Sequence, residues 1–374
     1  MITQLVTAIR ELRDIVPAWD ALARQTLEPN VFYESWALMP ALEELVPQDG
    51  QVAVLLVWAD ASHSLLTGLF PLVQERSYHK FPACHWMNWL HLHCPLGTPL
   101  LHRDYASETL AALFGWLRGY SGAMAFSFNK IPADGVFAKH LRGFTRNQGG
   151  LLNEHDTWER ALLSGGSSGE EYLANHQRKK KLKEYSRLRR RLEDLGDLEL
   201  EALLPGQGSN LTQWMADFLR MEQAGWKGRS QTAMACSHGE RTFAENLIRN
   251  AAERGQLMML KLLLDGEPIA IKLNLASATE GSYALKIAYD ERFAAYSPGV
   301  LLELENIYST LDDTHLGWMD SCAIPNHPMI NHLWAGRRRM TNFHVSTHRI
   351  LSKPLLHTMQ LMKTAYHYYK GTQA

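Results

Sequence analysis

The sequence predicts a mixed α/β protein, an α+β arrangement around mixed sheet, built from two similar halves. Three observations carry that expectation. Short runs such as "SYALKIAYD" alternate apolar and polar residues as half-buried strands do, whereas runs such as "LLELENIYSTL" space them as helices do. The order of these runs before residue 162 returns after it, although no residue-level repeat is visible. Between the two lies "LLSGGSSGEEYL" at 162–173, a run of small residues followed by Ser168 and, three positions on, Glu171. That pairing is a capping box, so a flexible turn feeds a new helix there.

The elements follow in order. Helical spacing in "IVPAWDALARQ" and "SWALMPALEELV" precedes strand runs in "QVAVLLVWAD" and "LLTGLFPLVQERS". The apolar runs "HWMNWLHLH" and "AMAFSFNKI" then flank the helical "ASETLAALFGWLRGY". Past the junction, "DLELEAL" is a strand, and "LTQWMADFLRMEQ" and "ERTFAENLIRNAAERG" are helices. The stretch from "QLMMLKLLLDGEPIAIKLNL" to "SYALKIAYD" gives three strands, one turn falling at Asp265-Gly266. A helix, the strand "HLGWMD", a short helix in "MINHLWAGRR" and closing strand material in "MTNFHVSTHRI" complete the chain. The expected division is 1–163, a linker with a basic helix at 164–197, and 198–374.

Composition narrows the function. At 374 residues, 46% hydrophobic and net charge −1, the chain is long enough for two cores and has no global preference for nucleic acid. "MITQLVTAIRELRDIVPAW" lacks the uninterrupted apolar core of a signal peptide, and "LMMLKLLL" is too short to span a bilayer, so a cytoplasmic protein without stable membrane insertion is expected. Cys84, Cys94, Cys236 and Cys322 form no C-x-x-C pair, against a disulfide framework or a thiolate zinc site. They are expected reduced and buried.

The stretch with the sharpest chemistry is "YSPGVLL" at 296–302, between a strand and a helix. Pro298 suits a first helical turn because the N–H it lacks would be unpaired there, and Gly299 lets a ligand approach the backbone. Free N–H groups at such a start attract anions, so the string describes a phosphate cradle; it also serves as a plain helix cap.

A three-strand meander entering such a turn and helix resembles the GNAT acyltransferase core. "AGWKGRS" at 224–230, "LLLDGEPIAIKLNL" at 262–275, "LKIAYDERFAAYSPGVLLE" at 285–303 and the isolated Asp320 resemble, more narrowly, the CelD/FemAB-like branch with two tandem GNAT units. The resemblance covers about 170–350 well and the first half by topology alone. It implies an N-acyltransferase whose C-terminal unit binds acyl-CoA, acetyl-CoA in the simplest case, as co-substrate without metal. The pantetheine would lie on a splayed strand and the pyrophosphate on the helix start, at Ile287, Ala288, Tyr296, Ser297, Pro298, Gly299, Val300 and Leu301. The acceptor, a small-molecule or peptide amine, would sit between the domains. Fem-type relatives take an aminoacyl group from tRNA, which makes tRNA the alternative partner; an inactive GNAT-fold binding protein is the other. "NHPMINHLWAGRRR" departs from the pattern, offering Trp334 but Asn331 and His332 where relatives often carry a Lys.

Acyl transfer from a thioester needs a deprotonated nucleophile, support for the oxyanion and an acid for the leaving thiolate. Glu222, just before "GWKG", and Asp320, at a strand end, are the candidate bases, with a solvated helix face and a capping role as their plainer alternatives. Lys286 sits in an otherwise apolar strand, on the face shared with Ala288 and Asp290 and opposite Tyr289, and should have an anionic partner. It joins the catalytic candidates. Trp226, Lys227, Tyr289 and Trp334 are the candidate acceptor contacts, although the large indole of Trp226 favours packing at the domain junction.

Two clusters are less telling. "CHWMNWLHLHC" holds Cys84, His85, His91, His93 and Cys94, but its spacing matches no common zinc pattern, and His91 and His93 share a face only if the run is extended. A packed or cleft-lining histidine pair is the expectation. "RKKKLKEYSRLRRR" at 178–191, with Leu182, Tyr185, Leu188, Leu192 and Leu195 at helical spacing, is an amphipathic helix with a packed face and a basic one. Its basic face is either solvated or attracts an anionic acceptor, a membrane surface or RNA.

Overall fold

A computed structural model describes residues 1–347 apart from 48–49, 76–84, 120–122, 124, 208–209 and 315. The first half runs β1 (Ile2–Val6), α1 (Ile9–Arg13), α2 (Val16–Arg24), α3 (Ser35–Glu44), β2 (Val52–Trp58), β3 (Leu66–Glu75), β4 (His85–Asn88), β5 (Leu100–Leu101), α4 (Ala106–Gly119), β6 (Ala125–Pro132), α5 (Val136–Asn147) and β7 (Leu152–Ser164). Two helices, α6 (Gly169–His176) and α7 (Lys179–Glu193), connect it to the second. That half comprises β8 (Leu198–Leu203), α8 (Leu211–Ala224), α9 (Trp226–Arg229), α10 (His238–Glu253), β9 (Leu257–Leu264), β10 (Glu267–Ala276), β11 (Ser282–Tyr289), α11 (Pro298–Asp312), β12 (Trp318–Asp320), α12 (Ile330–Leu333) and β13 (Gly336–Ser346).

Apolar patterning explains the central strands. "LMMLKLLL" in β9 is buried throughout because helices cover both of its faces: Leu257 and Met259 join one core cluster, and Met258, Leu260 and Leu262 the other. Asp265 and Gly266 both take positive φ, 52° and 78°, which makes the tight turn from β9 to β10. The Ser168 hydroxyl accepts the Glu171 N–H and the Glu171 carboxylate accepts the Ser168 N–H, so the expected capping box starts α6.

The strands form one sheet in the order β1-β2-β3-β4-β6-β13-β7-β12-β11-β10-β9-β8, with β5 pairing β3. Its symmetry is that of two tandem GNAT-like units. β1 to β4 are antiparallel neighbours and β4 runs parallel to β6; β8 to β11 are antiparallel neighbours and β11 runs parallel to β12. Helices enter at matching points, α1–α3 and α8–α10 after the first strand, α4 and α11 before the parallel one. β13 crosses back to lie between β6 and β7, and thereby ties the chain's last described strand to the first half.

The halves share a core. Trp19, Trp36 and Leu38 pack in one cluster with Phe218, Phe243 and Leu247. Polar contacts add register: Gln256 donates to Glu34 at 3.0 Å, and Asn250 donates to the Trp36 carbonyl at 3.0 Å.

Several expectations need correction. β1, α5 and β7 are additional elements, and β4 ends at Asn88, so His91 and His93 lie in the loop beyond it. Both rings pack on Phe243 of α10 at 5.3 and 5.7 Å, and burial pulls each imidazole down to about 3. They are neutral packing residues, and no three metal-binding side chains converge among the described residues. In α7, Leu188 and Leu192 are buried and Leu182 and Tyr185 partly so, but Leu195 lies past the helix and is exposed. Cys94 is buried, Cys236 and Cys322 are half-buried, and all three are free; Cys84 and the end of "MTNFHVSTHRI" lie outside the described residues. Among the described residues no helix is long and apolar enough to cross a membrane.

Candidate active site

The site begins at the end of α8. Gly228 must be glycine, because a Cβ there would stand 1.8 Å from the Gln223 carbonyl oxygen; its absence lets α9 fold back tightly on α8. Glu291, just past β11, then holds α9 down: it accepts the Trp226 N–H at 2.8 Å and two Arg229 contacts at 2.9 and 2.8 Å. Trp226 and Lys227 are thus carried over the edge of β11.

That edge is open. β12 pairs with β11 at Ser282 and Tyr283 alone, so the two parallel strands splay apart beyond Tyr283 while β10 keeps pairing as far as Tyr289. Lys227 Nζ donates to the Ile287 carbonyl at 2.6 Å on this stretch. A pocket of about 430 Å³ lies in the opening, lined by Glu222, Trp226, Lys227, Ile287, Tyr289 and Gly299 among others. Its far wall is the start of α11, where Ser297 adopts a left-handed conformation (φ 53°), Pro298 is the first helical residue, and no acidic side chain occupies the first turn. An ideal Cβ on Gly299 would meet the Tyr289 ring at 3.5 Å, so the glycine leaves space that a larger side chain would take from the pocket.

Glu222 is the electrostatic centre. It is 1% exposed; one carboxylate oxygen accepts the Met234 N–H at 2.8 Å, and the other lies 3.5 Å from Lys227 Nζ and 3.4 Å from Lys286 Nζ. Lys286 therefore has the anionic partner its apolar strand demands, and also donates to the Thr232 carbonyl at 3.3 Å. Burial pulls the Lys227 ammonium down to about 8, against the opposing pull of Glu222. This lysine can hold or release its proton near neutrality. His327, which the sequence reading missed, also lines the pocket; burial lowers its imidazole, and its Nδ1 accepts the Ile330 N–H at 3.4 Å.

The structure brings together Glu222, Trp226, Lys227, Ile287, Ala288, Tyr289 and Ser297 to Val300 around the pocket, with Lys286 behind it. Tyr296 and Leu301 flank the helix start without lining the pocket, Tyr296 lying under the Arg191 guanidinium at 4.8 Å. Trp226 is 53% exposed, a correction to its expected packing role: α9 presents the indole to solvent over the pocket mouth. Trp334 is corrected the other way, 1% exposed within the core cluster that includes Leu302 and Ile307. Asp320 is fully buried elsewhere, between Arg160 at 2.6 Å and Arg338 at 2.8 Å.

Comparison with known proteins matches this region. The family model described as Acetyltransferase (GNAT) domain matches residues 179–321. Among solved structures, FemX superposes with a TM-score of 0.59 at 12% identity, covering 96% of this chain and 99% of FemX. The C-terminal domain (DUF2156) of a putative lysylphosphatidylglycerol synthetase from Agrobacterium fabrum gives 0.53 at 11% identity, over 94% and 96%. A conserved protein of unknown function from Bacteroides thetaiotaomicron VPI-5482 gives 0.52 at 11% identity, over 88% and 97%. No curated protein sequence matches the chain significantly. At these identities the structures share the fold, and the fold is the one the resemblance implied.

Proposed function

We propose, from the premise that this tandem GNAT-fold chain carries an acetyltransferase (GNAT) domain at residues 179–321, that the protein transfers an acyl group from acyl-CoA to an amine. Acetyl-CoA is the simplest donor, and the acceptor is a small molecule or peptide bound near the seam of the two halves. The observation that carries this reading is the open edge of β11, roofed by Trp226 and Lys227 and ending at the α11 start. An extended donor arm can add to such an edge as a strand would, through backbone hydrogen bonds.

The donor supplies an activated thioester carbonyl. Acceptor attack forms the C–N bond and breaks the C–S bond, leaving one proton too many on the amine and a thiolate that needs one. Lys227, at about 8, is matched to that exchange: it gives its proton toward the sulfur and regains one from the acceptor ammonium. Glu222 holds the ammonium in place and favours its charged form, and the Lys286 charge beside Glu222 opposes it. Glu222 is here a positioning residue, and Lys286 its second counter-ion. Asp320, with two guanidinium partners and no place in the pocket lining, is assigned to the seam.

Titration calorimetry tests the donor. Acetyl-CoA should bind the purified protein, and Gly299→Val should weaken that binding by about 10²-fold, since branched methyl groups would occupy the space before Tyr289. Melting should stay close to that of the parent, because the added Cβ meets only ordinary contacts. Unchanged affinity in the folded variant would remove the cradle. Trp226→Ala should weaken the donor by about tenfold without loss of stability, as the indole is exposed and its apolar face is offered to the ligand.

A further inference from the structure

We propose that a second groove, beside the pocket, is a phosphate-binding subsite in which Arg178 and Lys181 hold the nucleotide phosphate at the far end of the donor. The inference rests on the donor reading of the pocket and extends it to residues that reading does not use.

The start of α11 is a poor phosphate site by itself. Pro298 has no N–H, and those of Val300 and Leu301 both reach the Ser297 carbonyl, at 2.9 and 3.1 Å. Only the Gly299 N–H of this turn lacks a carbonyl partner among the described residues. A donor bearing several phosphates needs more positive charge than that, and the adjoining groove has it. Of about 750 Å³, it shares Ser297, Val300, Pro328 and Met329 with the pocket, so the two are continuous. Arg178, Lys181, His176 and His332 line it, against Glu184 as the one carboxylate.

The placement of these cations has an energetic cost that a bound anion would offset. Arg178 is the N-cap of α7 and Lys179, Lys180 and Lys181 form its first turn, with no acidic residue there. Four cations thus stand at the positive end of the helix dipole, where acidic groups are favoured. Further along the helix, Arg189 pairs with Glu193 and Glu305, and Arg191 lies over the Tyr296 ring. Lys181 is steadied by Glu184 at 2.9 Å, whereas Arg178 has no carboxylate partner among the described residues and is exposed. The half-buried ring of Tyr185, with Leu188, gives the groove an apolar floor of the kind a purine packs on.

The probe is adenosine 3′,5′-bisphosphate, titrated into the full-length protein. It should bind, and Arg178→Gln/Lys181→Gln should weaken it by about tenfold or more, the loss of two charge-assisted hydrogen bonds. Both side chains are exposed, so the variant should fold, and relief of the cations at the helix start should leave its melting temperature equal to or slightly above the parent's. Arg178→Lys/Lys181→Arg, which keeps the charges, should retain most of the affinity. Absent binding, or equal affinity in parent and Gln variant, overturns the subsite. Two further ligands identify the phosphate's source. A preference for acetyl-CoA over 3′-dephospho-acetyl-CoA, lost in the Gln variant, assigns the groove to the coenzyme; tighter binding of a short RNA ending in CCA, also lost, assigns it to an RNA end. Acetyl-CoA binding no tighter than the bisphosphate alone would remove the pocket reading and leave the groove standing.

Discussion

Replacing Lys227 with methionine is expected to lower the turnover number by about 10²-fold or more, the usual loss when a positioned acid is removed, while acetyl-CoA still binds. Methionine keeps the length and apolar stem of the side chain but carries no proton. The wild-type pH profile offers an independent readout. The ammonium is the working form, so turnover should fall as pH rises through about 8, where Lys227 loses its proton. Glu222→Gln removes the carboxylate that favours the charged lysine, so the same limb should move to lower pH. A Lys227→Met enzyme within threefold of the parent, with the alkaline limb intact, would hand proton transfer to His327 or to water.

What the sequence made legible follows from where the determining forces act. The β9 to β11 meander, the Asp265-Gly266 turn, the Ser168 capping box and the Pro298 helix start are all set within a few residues, by side-chain alternation, left-handed backbone or a local cap. β7, "LNEHDTWERALLS", carries no such signal. Much of it is exposed and polar, and it is a strand because β13 and β12 supply its partners from far along the chain. α5 is different: Phe137, Leu141 and Phe144 recur at helical spacing, and the pattern was there to be found.

The site divides the same way. Tyr289 and the 297–300 turn lie close in sequence and line one pocket, whereas the acidity of Lys227 arises from burial against β11, opposed by Glu222 five residues earlier on α8. No local pattern shows that a lysine will be desolvated. Trp226 and Trp334 exchanged their expected roles for a related reason: the size of an indole predicts that it is buried on average, not which of two a short exposed helix will lift into solvent. Asp320 was singled out as an isolated acid at a strand end, but its partners Arg160 and Arg338 come from strands 160 residues before it and 18 after.

Those partners determine the second large effect. Burial pushes the Asp320 carboxyl up, yet the guanidinium groups of Arg160 and Arg338 and the Cys322 N–H outweigh it and hold the group below the usual carboxylate range. Asp320→Ala leaves Arg160, 2% exposed at its side chain, as an uncompensated buried cation where β7, β12 and β13 meet. Breaking such a pair from one side costs about 3–5 kcal/mol, a large fraction of a typical domain's stability, and should appear as an earlier urea midpoint with an unchanged slope. The sign of the pH dependence follows from the lowered carboxyl. Its contribution is complete above the unfolded value of about 4 and is lost as pH falls through the folded one, so parent and variant should converge in acid. Asp320→Asn, which keeps the shape, should be less damaging than alanine and should retain turnover per folded molecule. A folded Asp320→Asn enzyme with turnover down by about 10²-fold would instead make this buried carboxylate the base of the reaction.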